Sequence, residues 1–228
     1  MKRVSEKSAG KDRSLRDLIY FPVVYNVVGL ITVVMLYAVS PEHFVAPETL
    51  NAALYLGVVT THWSIFYVIA RRLRREGIKD LVVPKKKFRW LPSILAFVSL
   101  NVLFTTYMIL ALAYGRIPPW GKPGLPQLVF YLALNPITAG FVEELIWRGY
   151  FIEKLLAMGK TERKAITYSS VSFAFIHGFT LPGKLVVTFL FGLIAGAYYV
   201  RERNLPVLMV SHVLIDVIAF GLSMFRPI

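Results

Sequence analysis

The sequence predicts an all-α fold, a polytopic transmembrane helical bundle of about seven spans. Three observations carry that prediction. Of 228 residues, 56% are hydrophobic and only 17% are charged, where a soluble domain has about a quarter charged. Mean hydropathy is +0.59, and the apolar residues fall in blocks about as long as a bilayer-spanning helix. Lys and Arg crowd into alternate connections between those blocks, as membrane topology demands.

Met1 to Asp17 is polar and basic and reads as a frayed tail. Leu18 to Val39 is the first span. Ala38-Val39-Ser40 resembles a cleavage site, but Pro41 follows it and the block is too long for a signal peptide, so the span is read as retained. Pro41 to Thr49 is a short acidic loop with Glu42 and Glu48, and Leu50 to Ala70 is the second span. Arg71 to Trp90 holds Arg71, Arg72, Arg74, Arg75, Lys79, Lys85, Lys86, Lys87 and Arg89, a basic loop suited to anionic lipid headgroups.

Leu91 to Tyr114 is the third span, and Gly115 to Pro126 is a Pro/Gly-rich loop. Gln127 to about Met158 is helical in pattern, apolar at first and amphipathic at its end. Ala165 to Phe179 is apolar but reaches only about 22 Å as a helix, short of the ~30 Å hydrocarbon core. Lys184 to Val200 is the sixth block, with a Gly192/Gly196 face for close packing. Leu205 to Phe225 is the seventh.

Counting loops alternately, one side receives the N-terminal tail, Arg71 to Arg89, Arg148 to Lys164, and Arg201 with Arg203. The other receives Arg116, Lys122, Lys184 and Arg226. The N-terminus is therefore expected in the cytoplasm. The chain divides into a cytoplasmic basic tail (1–17), N-terminal spans with the basic cytoplasmic loop (18–125), and a membrane core (126–228) that holds nearly all the intramembrane polar chemistry.

The net charge of +13 does not point to nucleic acid, because that reading needs a soluble basic surface. Membrane lipids are the expected partners. With no cysteine, disulfides, thiolate metal ligands and a Cys nucleophile are excluded.

Ionisable groups inside a span are costly and by default mark function. Four places qualify. Glu143 and Glu144 are adjacent on one helix, and Glu144 shares a face with Arg148 four residues on, so the two can pair. Glu143 points away from that partner and is free for general acid–base work; the plainer reading of the pair is a charged helix end. His177 sits in an apolar run, where a hydrogen-bonded core histidine is the plainer reading. His212 and Asp216 lie one turn apart and could simply satisfy each other. His43, in a loop, and His62, within the second span, are read as structural.

Three helices that each carry an ionisable group into the bilayer suggest one site with a base, donors and a candidate metal set. There is no H-E-x-x-H and no G-x-S-x-G. Only one Asp lies in a predicted span, too few for a two-aspartate mechanism.

The ordered set Glu143-Glu144-x-x-x-Arg148, Phe173-x-x-x-His177 and His212-x-x-x-Asp216 resembles the CPBP family, the CAAX prenyl endopeptidases and bacteriocin-processing relatives also called Abi proteins. The likeness covers about Gln127 to Phe225 and makes 126–228 the catalytic core. It implies an intramembrane endopeptidase, a (metallo)protease acting on a peptide or lipidated protein substrate, in a prokaryotic plasma membrane. It casts Glu143 as general base and Glu144 with Arg148 as the supporting pair. His177 would hold the water, and His212 with Asp216 would polarise the scissile carbonyl. Alternatively, Glu143, His177, His212 and Asp216 would ligate Zn2+. Asp216 stands where many eukaryotic members carry Asn; ionised Asp cannot donate to an oxyanion, which favours metal ligation or orientation of His212. The rival readings are a non-proteolytic immunity or scaffold protein on this fold, and a small proton-coupled transporter.

Overall fold

The computed structural model describes residues 2–39, 47–73, 86–115, 124–177 and 182–224. Every described element is helical. Helix α1 is Lys2–Val39, α2 is Pro47–Leu73 and α3 is Trp90–Ala113. Helix α4 is one run of five segments: Leu125–Val129, a π-helical Phe130–Leu134, Asn135–Glu144, a π-helical Leu145–Ile152, and Glu153–Ala157. Then come α5, Glu162–Phe175, α6, Pro182–Glu202, and α7, Leu205–Met224. His43, Arg74, Arg75, Lys79, Lys85, Arg116, Lys122, Gly178 and Arg226 lie outside the described residues.

Among the described residues, four helices are long and apolar enough to cross a membrane: α3, α4 from Gln127, α6 and α7. At 20 to 24 residues, α3, α6 and α7 each match a ~30 Å hydrocarbon core at 1.5 Å per residue. Helix α5, at 14 residues, spans only about 21 Å. It is wedged between α6, α1 and α4, where protein takes the place of lipid.

Local sequence sets the joints. Gly159, at φ 77°, ends α4 in the left-handed conformation that closes helices, with Lys160 N–H donating to Leu155 O at 3.0 Å. Two residues later Thr161 caps α5, its hydroxyl accepting from Lys164 N–H at 3.3 Å. In α1, Pro22 has no N–H to offer the Leu18 carbonyl one turn back. Ser172 of α5 fills that gap, its hydroxyl donating to Leu18 O at 2.7 Å. Asn26 then donates to Pro22 O and to Phe175 O, both at 2.8 Å, tying α1 to the end of α5.

Small residues set the helix spacing. A Cβ on Gly192 would lie 2.8 Å from Ser170 Cβ, and one on Gly140 would lie 2.5 Å from Val213 Cγ2 and 2.9 Å from Met209 O. Glycine is the side chain that lets these backbones approach. The Gly192/Gly196 face predicted for packing is the one that receives α5, with Ile166 3.0 Å from a Cβ at Gly196.

Two predicted features come out differently. The stretch before Asp17 is helical from Lys2, continuous with the first apolar block. Asp17 itself is buried and accepts from Tyr150 Oη at 3.1 Å, because α1 packs along α5 and brings its last polar turn against the core. At the basic end of the bundle three connections meet: Lys86 donates to Arg201 O, Arg89 pairs with Glu202 at 3.1 Å, and Arg203 pairs with Glu153. The loops assigned to one side by their charge thus contact one another.

Candidate active site

Glu143 and Glu144 close an α-helical segment of α4, and Arg148 lies in the π-helical segment that follows. Such widened turns are uncommon and recur at functional sites. Here the widening leaves the Trp147 carbonyl to accept from the Ser169 hydroxyl at 2.5 Å, while Trp147 Nε1 donates to Ser172 Oγ at 3.2 Å. These contacts lock α4 to α5 just past the two glutamates.

Glu143, Glu144, Arg148 and His212 are all buried, none more than 5% exposed. Burying four ionisable groups is tolerable only when they satisfy one another. Arg148 Nε lies 3.2 Å from Glu144 Oε2, the predicted pair. Its guanidinium stacks over Phe173 at 4.3 Å and Phe191 at 5.2 Å, a cation–π clamp from two helices. Glu144 Oε1 accepts from His212 Nδ1 at 2.8 Å. His212 Nε2 faces Glu143 Oε2 across 3.7 Å.

Glu143 has a second neighbour that sequence reasoning did not assign. His62 of α2, 2% exposed, puts Nε2 2.5 Å from Glu143 Oε1. One carboxylate oxygen is therefore engaged. The other, Oε2, is buried and accepts no hydrogen bond among the described residues. A line of groups results: His62, Glu143, His212, Glu144, Arg148.

His177 lies just past α5, half-buried. Its Nδ1–H donates to Phe173 O at 3.1 Å, so in the neutral ring Nε2 is the acceptor. The Phe173 ring separates the two histidines, 5.0 Å from the His177 ring and 6.0 Å from the His212 ring. Asp216, one turn beyond His212 and half-buried, acts at longer range, within electrostatic reach of His212, Glu143 and Lys184. Lys184, the residue that opens the sixth block, sits in the first turn of α6 and also reaches Glu143 and His177 through charge.

The structure thus brings Glu143, Glu144, Arg148 and His212 into direct contact, sets His177 behind Phe173, and leaves Asp216 to act through charge. His62 and Lys184 are the additions. His62 carried a legible signal, an ionisable side chain in mid-span, but a lone histidine gives no hint of its partner. Among the described residues, no group of three or more His, Cys, Asp or Glu side chains is arranged to hold a metal ion. His212 Nδ1 and Glu143 Oε1 are engaged by protein partners, and His177 bonds the carbonyl of its own helix through Nδ1.

Residues 125–218 match the family model described as type II CAAX prenyl endopeptidase Rce1-like. No curated protein and no solved structure matches the chain.

Proposed function

We propose, from a chain whose residues 125–218 belong to the Rce1-like family of type II CAAX prenyl endopeptidases, that this integral membrane protein hydrolyses a peptide bond of a membrane-associated substrate. The candidate substrate is a prenylated, CAAX-type C-terminus. The observation that carries the reading is Glu143. One oxygen is held by His62 at 2.5 Å, and the other is buried and accepts no hydrogen bond from the described residues.

In this reading a water on Glu143 Oε2 gives its proton to the carboxylate as its oxygen bonds to the scissile carbonyl carbon. His177 Nε2, left as an acceptor by its bond to Phe173 O, orients that water. The carbonyl oxygen takes up the electron pair and needs a donor. When His212 carries both protons, Nδ1–H stays on Glu144 and Nε2–H, 3.7 Å from Glu143 Oε2, can turn to the oxyanion. Collapse of the tetrahedral intermediate breaks the C–N bond, and Glu143 returns its proton to the leaving amine. Glu144 and Arg148 hold His212 in place, and Asp216 balances the local positive charge.

An apolar groove of about 650 Å³ lies between α1 and α5, lined by Leu15, Ile19, Val23, Val171, Ser172 and Phe175. Its apolar lining suits the isoprenoid of a lipidated substrate. We place the basic end of the bundle in the cytoplasm of a prokaryotic cell, with about seven helices in the membrane, on the strength of its Lys and Arg.

Farnesylated and unmodified C-terminal peptides, offered to purified wild type and Glu143→Ala with and without a chelator, test the reading. Cleavage by wild type and none by Glu143→Ala is expected. Full activity in Glu143→Ala overturns Glu143 as base. Silence of wild type on every peptide favours a non-proteolytic scaffold. Loss of cleavage with chelator favours a metal-assisted mechanism.

A further inference from the structure

The family match begins at residue 125, yet the side chain nearest Glu143 comes from α2, 81 positions earlier in the chain. We propose that His62 is a positioning residue for Glu143, so that the helices before residue 125 complete the site rather than only anchoring it. The inference rests on the reading of Glu143 as the base.

The geometry argues for positioning rather than a passive core contact. A glutamate has three side-chain torsions, and each freed rotor costs alignment. His62 removes that freedom by holding Oε1, and thereby aims Oε2 at His212. Without His62 the nearest cationic group to Glu143 is His212, 3.7 Å away, and the carboxylate would turn onto it and lose its free oxygen.

His62 is itself held. Tyr25 of α1 packs its ring edge-on to the imidazole at 4.7 Å, and leans on Trp147 at 6.0 Å. The next residue, Trp63, donates from Nε1 to Thr138 Oγ1 of α4 at 3.3 Å, which sets the register of α2 against the helix that carries Glu143. Phe141 stacks on Trp63 with the planes 23° apart. Two contacts between α2 and α4, both made by Trp63, therefore help present His62 Nε2 to Glu143.

The test uses the full chain in detergent. For a peptide that wild type cleaves, kcat and KM are measured for His62→Leu, which lacks the donor, and His62→Gln, whose amide nitrogen can stand near Nε2. His62→Leu should lose about 100-fold in kcat, as for removal of one aligned polar partner at a reacting centre, with KM little changed. His62→Gln should recover most of it. Wild-type kcat in His62→Leu, or equal losses in both variants, overturns the proposal. Thermal unfolding of His62→Leu, Glu143→Gln and the double variant gives a readout free of activity. A double shift clearly smaller than the sum of the singles is expected for groups in contact, and additive shifts overturn the contact. If wild type cleaves nothing, the protease reading falls, and the unfolding cycle alone still decides whether His62 holds Glu143.

Discussion

Helices α3 and α4 both satisfy the length and hydropathy of a membrane span, yet they occupy opposite places in the bundle. In the most apolar stretch of α3, 22% of positions are buried within the protein; in α4 the share is 61%. Helix α3 turns Leu91, Ile94, Leu95, Val98 and Val102 outward. Helix α4 buries every residue from Val142 to Ile152, including Glu143, Glu144 and Arg148. The more hydrophobic helix is the peripheral one. In water that order would be reversed, but lipid solvates Leu as well as a protein core does. Buried charges, by contrast, have nowhere to go except against each other. Polarity therefore marks the centre of this molecule, and unbroken hydrophobicity marks its rim.

The largest expected effect lies at that centre. Glu143→Ala should reduce peptide cleavage by at least about 1,000-fold with the fold retained, as loss of the group that takes the proton in the chemical step. Detergent-phase unfolding of the inactive variant checks the second half of that statement. Arg148→Leu is next. It leaves Glu144 buried with His212 as its remaining partner, and should cost about 3 kcal/mol of stability, the scale for breaking a buried pair from one side. Its unfolding midpoint and its activity should fall together.

Packing inside the core gives the next rank. Gly192→Ala forces a methyl to within 2.9 Å of the Ser170 backbone and should cost about 1–3 kcal/mol by overpacking. Gly221→Ala is the matched control, since nothing lies within 4 Å of its added Cβ; it should be neutral or stabilising by about 0.5 kcal/mol. The smallest effect belongs to the rim. Leu95→Ala on α3, 57% exposed, should change stability and activity by no more than about 0.5 kcal/mol. A large loss there would show that α3 is covered by protein, and the contrast with α4 would fail.

The two regions also differ in how they contribute polar groups. The segment from 125 onward carries its ionisable residues in recognisable pairs. Two ionisable residues of the earlier helices also meet α4. Asp17 accepts from Tyr150, and His62 holds Glu143. Sparse polar residues in a lipophilic helix are thus more telling than their number suggests.

Much of this was readable from the residues alone. Apolar block length marked out the helices, Gly/Pro-rich breaks separated them, and the rarity of ionisable groups in spans singled out Glu143, Glu144, His177, His212 and Asp216. The Glu144–Arg148 pair follows from four-residue spacing within one helix. These are local properties, and local properties are what sequence pattern encodes.

The pairing of His62 with Glu143, the donation of Ser172 to the carbonyl freed by Pro22, and the placing of Phe173 between two histidines come from elsewhere. Each depends on how a helix is rotated and how far it has slid along its neighbour. For a helix apolar on every side, hydropathy favours no rotation, since lipid and core are equally acceptable to Leu or Val. Rotation and register are set by close glycine contacts and by hydrogen bonds between helices, and those exist only once the helices have packed.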